Sequence, residues 1–219
     1  MKVCTDACLF GALISENLSY KKNILDIGTG TGLLSLMYAQ KNTDAKIDAV
    51  EIDKDAAEQA RENIFHSIWK ENIEVYHQSI QQFANARNTR YDLILSNPPF
   101  FENDLKSPDE RRNSALHSSD LSLEELVKTA CELLAETGSF CVLLPFSRTE
   151  YFTRLAEEKN LYPSHQYLIR QTEKHAFFRS VLFFSKMEHE KINEEIIIKT
   201  NETYSLRFTK LLKDYYLHL

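Results

Sequence analysis

Apolar positions along this chain recur at two periods, and the two alternate. From Thr5 to Glu16 the residues Leu9, Ala12 and Leu13 fall on one side at helical spacing. Asn23 to Ile27 is a short apolar run ending in glycines, the pattern of a buried strand. Thr31 to Lys41 reads as a helix and Lys46 to Glu51 as a second strand. Asp53 then opens a helix through about Trp69, its carboxylate suited to cap the first free backbone N–H groups. Ile73 to Tyr76 and Tyr91 to Ser96 are a third and a fourth strand, the latter stopped by Asn97, Pro98 and Pro99. Leu121 to Ala135 is a helix with Ser122 and Glu125 spaced as a capping box and Gly138 as its stop. Ser139 to Leu144 is a fifth strand and Arg148 to Lys159 a helix. Tyr162 to Arg170 and Phe177 to Ser185 pair as a hairpin, Glu194 to Lys199 is strand-like, and Ser205 to Tyr216 is a last helix.

Strands alternating with long helices give βαβ units, right-handed crossovers and a mainly parallel, doubly wound α/β sheet. Ligands bind such sheets beyond the carboxyl ends of the strands. Those ends carry Asp26 to Gly32, Glu51 to Asp53, His77 to Ile80, and Asn97 to Phe100, so four loops converge on one edge. The 219 residues, 43% of them hydrophobic, suffice for one domain with a full core. We divide it into an N-terminal helix (5–16), a cofactor half (about 23–90) and a substrate half (about 91–219).

Charge and cysteine usage narrow the function. A net charge of −6 argues against a protein that coats nucleic acid with its whole surface, although a local basic patch would suffice for binding. There is no apolar run of membrane-spanning length and no secretory pattern at Met1 to Asp6. Cys4, Cys8, Cys131 and Cys141 form no Cys-x-x-Cys pair and read as reduced thiols of a cytoplasmic protein. No metal is expected, because no His, Cys or Asp cluster has ligand spacing.

The loops hold the chemistry. Gly28 and Gly30 can adopt positive φ and let a ligand approach the backbone. Gly-x-Gly alone also opens nicotinamide-binding domains, but that fingerprint requires glycine at position 33, which is Leu33 here. A tight strand-to-helix turn without a ligand is the bland alternative. Glu51 lies about twenty residues beyond the glycine loop, where an acid can accept both ribose hydroxyls; capping the next helix is the rival role, for which Asp53 is better placed. At Asn97, Pro98, Pro99 and Phe100 the proline pair stiffens the loop, and an aromatic face is offered for stacking.

These motifs resemble those of class I methyltransferases. Asp26, Gly28, Gly30 and Gly32 look like the loop that holds the amino-acid part of S-adenosylmethionine. Asn97 to Phe100 resembles the Asn-Pro-Pro-aromatic motif of enzymes that methylate exocyclic amines. The resemblance extends to Met1 to Ala12, to Val50 through Asp53 with Ala56 to Asn63, and to Leu105 through His117. It reaches Leu217, and it points to the bacterial tRNA(1)(Val) adenine-N6 methyltransferases. The implied fold is a Rossmann-like seven-stranded sheet with an antiparallel C-terminal hairpin. The implied cofactor is S-adenosylmethionine, held by Thr5, Asp6, Asp26, Gly28, Thr29, Gly30, Gly32, Glu51, Ile52 and Ser79. Ser79 stands where the family usually has an acid toward the adenine. The implied catalytic residues are Asn97, Pro98, Pro99 and Phe100. The partner would be a tRNA anticodon loop, met by Lys106, Arg111, Arg112 and His117, with the protein acting as a monomer. Family members usually carry a further segment before the Met-Lys-Val that starts this sequence, and with it part of the lid or RNA surface.

Rival readings keep the chemistry and change the amine, to a ribosomal RNA base, DNA adenine or protein glutamine; another is a silent scaffold that binds cofactor or RNA. Arg111 and Arg112 suit phosphate, but acids nearby make a solvated loop the competing view. Arg170, Lys174, His175 and Arg179, interleaved with Phe177 and Phe178, suit single-stranded RNA; packing of those aromatics into the sheet edge is an equal alternative.

Overall fold

The computed structural model describes residues 4–18, 20–99 and 121–218. Its centre is one eight-stranded sheet. In chain order the elements are α1 (Thr5–Asn17), β1 (Asn23–Ile27), α2 (Leu33–Lys41), β2 (Lys46–Glu51), α3 (Lys54–Phe65), β3 (Ile73–His77), α4 (Ile80–Asn85) and β4 (Tyr91–Ser96). After them come α5 (Leu123–Leu133), β5 (Leu134–Pro145), a 3-10 turn (Phe146–Arg148), α6 (Thr149–Glu157), β6 (Tyr162–Arg170), β7 (Arg179–Ser185) and β8 (Ile192–Ile197). A small hairpin of β9 (Lys199–Thr200) and β10 (Thr203–Tyr204) leads into α7 (Leu206–Leu212). The strand order is β3-β2-β1-β4-β5-β7-β6-β8, with β7 antiparallel to both neighbours and β8 parallel to β6.

The sheet thus has eight strands where seven were expected. The additional one is the run expected at Glu194 to Lys199, which forms two residues earlier and covers the edge of β6 from His165 to Arg170. Three of its six residues are exposed, and it carries Glu194 and Glu195, charges that discourage further pairing at an open edge. Both faces of the inner strands are buried, and side chains alternate between two cores. Ile24, Leu93, Leu95, Cys141, Leu143, Val181 and Phe183 face the layer of α1, α2, α3 and α7. Leu25, Ile27, Ile94, Phe140, Val142, Leu144, Leu182 and Phe184 face α4, α5 and α6. This is the period-two burial of a sheet covered on both sides.

Several helix boundaries differ from expectation. α2 begins at Leu33 and not at Thr31, because Gly32 is left-handed at φ 82°. α3 stops at Phe65, short of Trp69, where the Ser67 hydroxyl takes the Ile64 carbonyl and accepts the Trp69 N–H. Gly138 does not cap α5: it is not left-handed and lies within β5, its Cα facing the Tyr91 carbonyl. Asp53 caps α3 through the Ala56 N–H at 2.8 Å, and the Ser122–Glu125 capping box is present. Among the described residues no helix is long and apolar enough to cross a membrane.

Candidate functional site

The sheet reverses direction of growth between β1 and β4, and the candidate site lies at the carboxyl ends of that pair. Their register pairs Ile27 with Ser96, so the glycine loop and the Asn97 loop leave the sheet side by side. The Ser96 hydroxyl donates to the Ile27 carbonyl at 3.0 Å and locks the two exits together. Sequence reasoning overlooked Ser96. Its only signal is a polar residue at a fully buried strand end.

Asp26 is the acid of the glycine loop and is completely buried. Its Oδ2 accepts hydroxyl hydrogen bonds from Thr29 and Ser35, both at 2.7 Å. Its Oδ1 is buried and, among the described residues, has no hydrogen-bond partner. Burial, opposed by those two hydroxyls and reinforced by the nearby Glu51 charge, raises its carboxyl above the ordinary value. Gly28, Gly30 and Gly32 all have positive φ. At Gly28 an added side-chain carbon would meet nothing within 4 Å, so the loop leaves open space on that side. Both Gly28 and Thr29 donate backbone N–H bonds to the Val50 carbonyl, at 2.9 and 3.1 Å, which folds the loop toward β2.

Glu51 ends β2 and is 8% exposed. Its Oε2 accepts the Gly30 N–H at 2.8 Å and its Oε1 the Asp53 N–H at 2.9 Å. Its carbonyl accepts the Gln78 N–H at 3.1 Å. One residue therefore ties the loops after β1, β2 and β3. Capping of α3 is done by Asp53, as expected, which leaves the second lone pairs of the Glu51 carboxylate for a ligand. Ile52 beside it is 49% exposed, an apolar side chain presented at the edge. Ser79 is half-buried and caps α4 in a capping box with Gln82, a helix the sequence reading missed. Its hydroxyl accepts the Gln82 N–H at 3.2 Å and keeps its own proton to donate.

Asn97 is half-buried, and among the described residues its buried side-chain oxygen has no hydrogen-bond partner. Pro98 is buried and Pro99 exposed. An unpaired buried amide oxygen costs about 1–3 kcal/mol. That cost at the mouth of two adjoining loops is what an acceptor awaiting a donor looks like. Thr5 and Asp6 open α1 farther along the same edge. Asp6 accepts Arg179 Nε at 2.9 Å and so ties α1 to the start of β7. Phe100, Lys106, Arg111, Arg112 and His117 lie outside the described residues.

Comparison with known proteins agrees with this arrangement. Residues 7–158 match the model of the methyltransferase small domain family. A tRNA1(Val) (adenine(37)-N6)-methyltransferase of Bacteroides fragilis is 40% identical over 221 residues, covering 100% of this chain and 92% of that protein. One of the same name from Pectobacterium carotovorum is 41% identical over 221 residues, covering 100% and 88%. Among solved structures, one titled a predicted O-methyltransferase from Agrobacterium tumefaciens superposes with TM-score 0.73 at 14% identity, covering 94% of this chain and 95% of that one. Ribosomal protein L11 methylase of Lactobacillus delbrueckii superposes with TM-score 0.57 at 17% identity, covering 80% and 76%. At those identities the structures speak for the fold alone. The full-length sequence relatives speak for the family: this chain belongs to the methyltransferase small domain family, among the bacterial tRNA1(Val) adenine-N6 methyltransferases.

Proposed function

We propose that this protein transfers a methyl group from S-adenosylmethionine to the N6 amino group of an adenine in tRNA, in the anticodon loop at the position its relatives are named for. The observation that carries the reading is the buried, unpartnered oxygen of Asn97 beside the glycine loop. An exocyclic amine has two N–H donors and a lone pair delocalised into its ring. Donation of those hydrogens to Asn97 Oδ1 and to the Pro98 carbonyl favours a tetrahedral nitrogen with its lone pair localised. The cofactor supplies an electrophilic methyl carbon on a sulfonium. The remaining work is positioning, and no strong base is needed, because the amine becomes acidic only once it is methylated.

The residues fit such a cofactor. The open side of Gly28 admits a close backbone approach, and the free Oδ1 of the enclosed Asp26 suits a cationic amino-acid end. The carboxylate of Glu51 retains acceptor capacity for ribose hydroxyls, and Ile52 offers an apolar side to a base. The reading sets the work in the cytoplasm, where tRNA is modified.

The test is single-turnover methyl transfer onto unmodified tRNA, with mass spectrometry of the nucleosides. Asn97→Ala should reduce the transfer rate by a factor of about a hundred or more while tRNA binding persists, since the lost contact strengthens toward the transition state. A near-normal rate in that variant would show that this loop does not activate the amine.

A further inference from the structure

We propose a nucleotide-binding track along the carboxyl edge of the sheet. It runs from Asn97 across Phe146 and Phe177 to a cavity at Lys199 and Tyr204, and it holds RNA nucleotides flanking the target adenine. The inference rests on the proposed RNA substrate and names where the rest of that substrate lies.

Strand order puts these residues in a row. Beyond β4 comes Asn97, beyond β5 Phe146, before β7 Phe177 and Phe178, beyond β6 Gln171, and beyond β8 Lys199. Neighbouring strands lie about 4.8 Å apart, so the row reaches roughly 20 Å from the catalytic loop. The backbone pairing continues past the strands and fixes the row. Phe146 donates to the Phe178 carbonyl at 3.1 Å, Phe178 to Ile169 at 3.0 Å, and Lys199 to Gln171 at 2.9 Å.

The side chains are those that hold bases. Phe146 is 40% exposed, and its ring lies 5.5 Å from that of Phe177. Arg170 covers the Phe177 face at 5.3 Å and is itself held by Glu195 at 2.7 Å. Phe183 and Phe184 are buried and half-buried Phe178 packs against the core, whereas half-buried Phe177 belongs to neither core. Packing of the sheet edge therefore does not account for Phe146 and Phe177. Past them opens a cavity of about 460 Å³, bordered by Phe178, Tyr204, Gln171, Lys199, Thr5 and Asp6, whose carboxylate is held by Arg179 at 2.9 Å. Aromatic faces, an amide with both donor and acceptor, and a cation make up a nucleotide's complement: stacking for the base, hydrogen bonds for its edge, charge for its phosphate. Lys199 lies 5.8 Å above the Tyr204 ring and, among the described residues, has no acidic partner. Arg170 and Arg179 are paired with acids, so Lys199 is the cation bordering the cavity that is placed to meet phosphate.

The experiment measures binding of an unmodified anticodon stem-loop RNA by fluorescence anisotropy across a salt series. Methyl transfer to the same RNA and calorimetry with S-adenosylmethionine run alongside. Phe177→Ala and Phe146→Ala should each weaken RNA binding about tenfold, the effect of one lost stacking face. Lys199→Ala should weaken it several-fold and lower the salt slope by about one. Phe177→Tyr and Lys199→Arg should bind as wild type, and cofactor affinity should not move in any variant. Phe146 is a surface side chain, so its variant reports even if Phe177→Ala disturbs the hairpin. Undiminished RNA binding in Phe146→Ala and Lys199→Ala would overturn the track while leaving the proposed reaction intact. A wild-type protein that binds the stem-loop with these dependences but transfers no methyl to it would leave the track standing and overturn the reaction. A wild-type protein that does not bind the stem-loop overturns the track whichever amine it methylates.

Discussion

Asp26 shows what one residue does before any ligand arrives. Its carboxyl is raised above 3.8 chiefly by burial, and two hydroxyl donors only partly offset that. The native state therefore holds the proton more tightly than the unfolded chain. Between 3.8 and the raised native value, unfolding releases a proton, so stability falls as pH rises through that window and levels off above it. Asp26→Asn has no proton to lose and should show a flatter stability–pH profile, measured by urea unfolding at a series of pH values. Parallel profiles for the two proteins would count against the assignment. The same variant should bind S-adenosylmethionine more weakly, because a cationic ligand group facing Oδ1 favours the ionised acid. The acid and the positive-φ glycines of this turn were readable in the sequence. The hydroxyls of Thr29 and Ser35 that satisfy it were not, since their roles come from folding α2 back over β1.

Elements were legible where periodicity was strong and blurred where a single side chain sets the boundary. Every long strand and helix was visible as an apolar run or stripe, but α4 spans only Ile80–Asn85, too short for a helical stripe to declare itself. Its capping box, Ser79 and Gln82, was the available signal. Removing it with Ser79→Ala should cost about 0.5–2 kcal/mol in urea unfolding. Gly138 is the opposite case, a residue read correctly as special and for the wrong reason. A helix stop would need positive φ, which Gly138 lacks. Glycine is required because an added carbon would sit 2.9 Å from the Tyr91 carbonyl, where β4 and β5 shift register. Backbone cannot yield as a flexible side chain does, so Gly138→Ala should destabilise by about 1–3 kcal/mol, the usual cost of overpacking. Its cofactor affinity should be normal, since this junction lies at the opposite end of β5 from Pro145. A Gly138→Ala protein as stable as wild type would show that the strands can part at no cost.

At the scale of the whole molecule the sheet gathers distant segments at one edge, and this is the part the sequence conveyed best. Alternating strands and helices implied parallel pairing, and parallel pairing brings all carboxyl ends to one side. Where the run near Glu194 would pair, and that Phe146 would come to lie beside Phe177, were harder to foresee, because strand order at the far edge depends on long-range pairing. Glu51 is where this convergence becomes measurable. Its carboxylate and carbonyl hold Gly30, Asp53 and Gln78, so it ties three loops together in the apo protein, and the proposed function gives it a second role toward the cofactor. The two roles separate in a thermal melt. A ligand at about one hundred times its Kd adds roughly 2.7 kcal/mol to native stability. For a chain of this length that raises Tm by roughly 5–10 °C. Glu51→Ala leaves the buried Gly30 N–H and the part-buried Asp53 N–H without their acceptor and should lower the starting Tm whatever the ligand does. If the carboxylate also binds the ribose, affinity should fall by about 1–3 kcal/mol, and the rise at the same cofactor concentration should shrink to between about two-thirds and one-tenth of its wild-type size. A variant that starts lower yet rises by the full amount would reduce Glu51 to a tie between loops and remove it from the cofactor site.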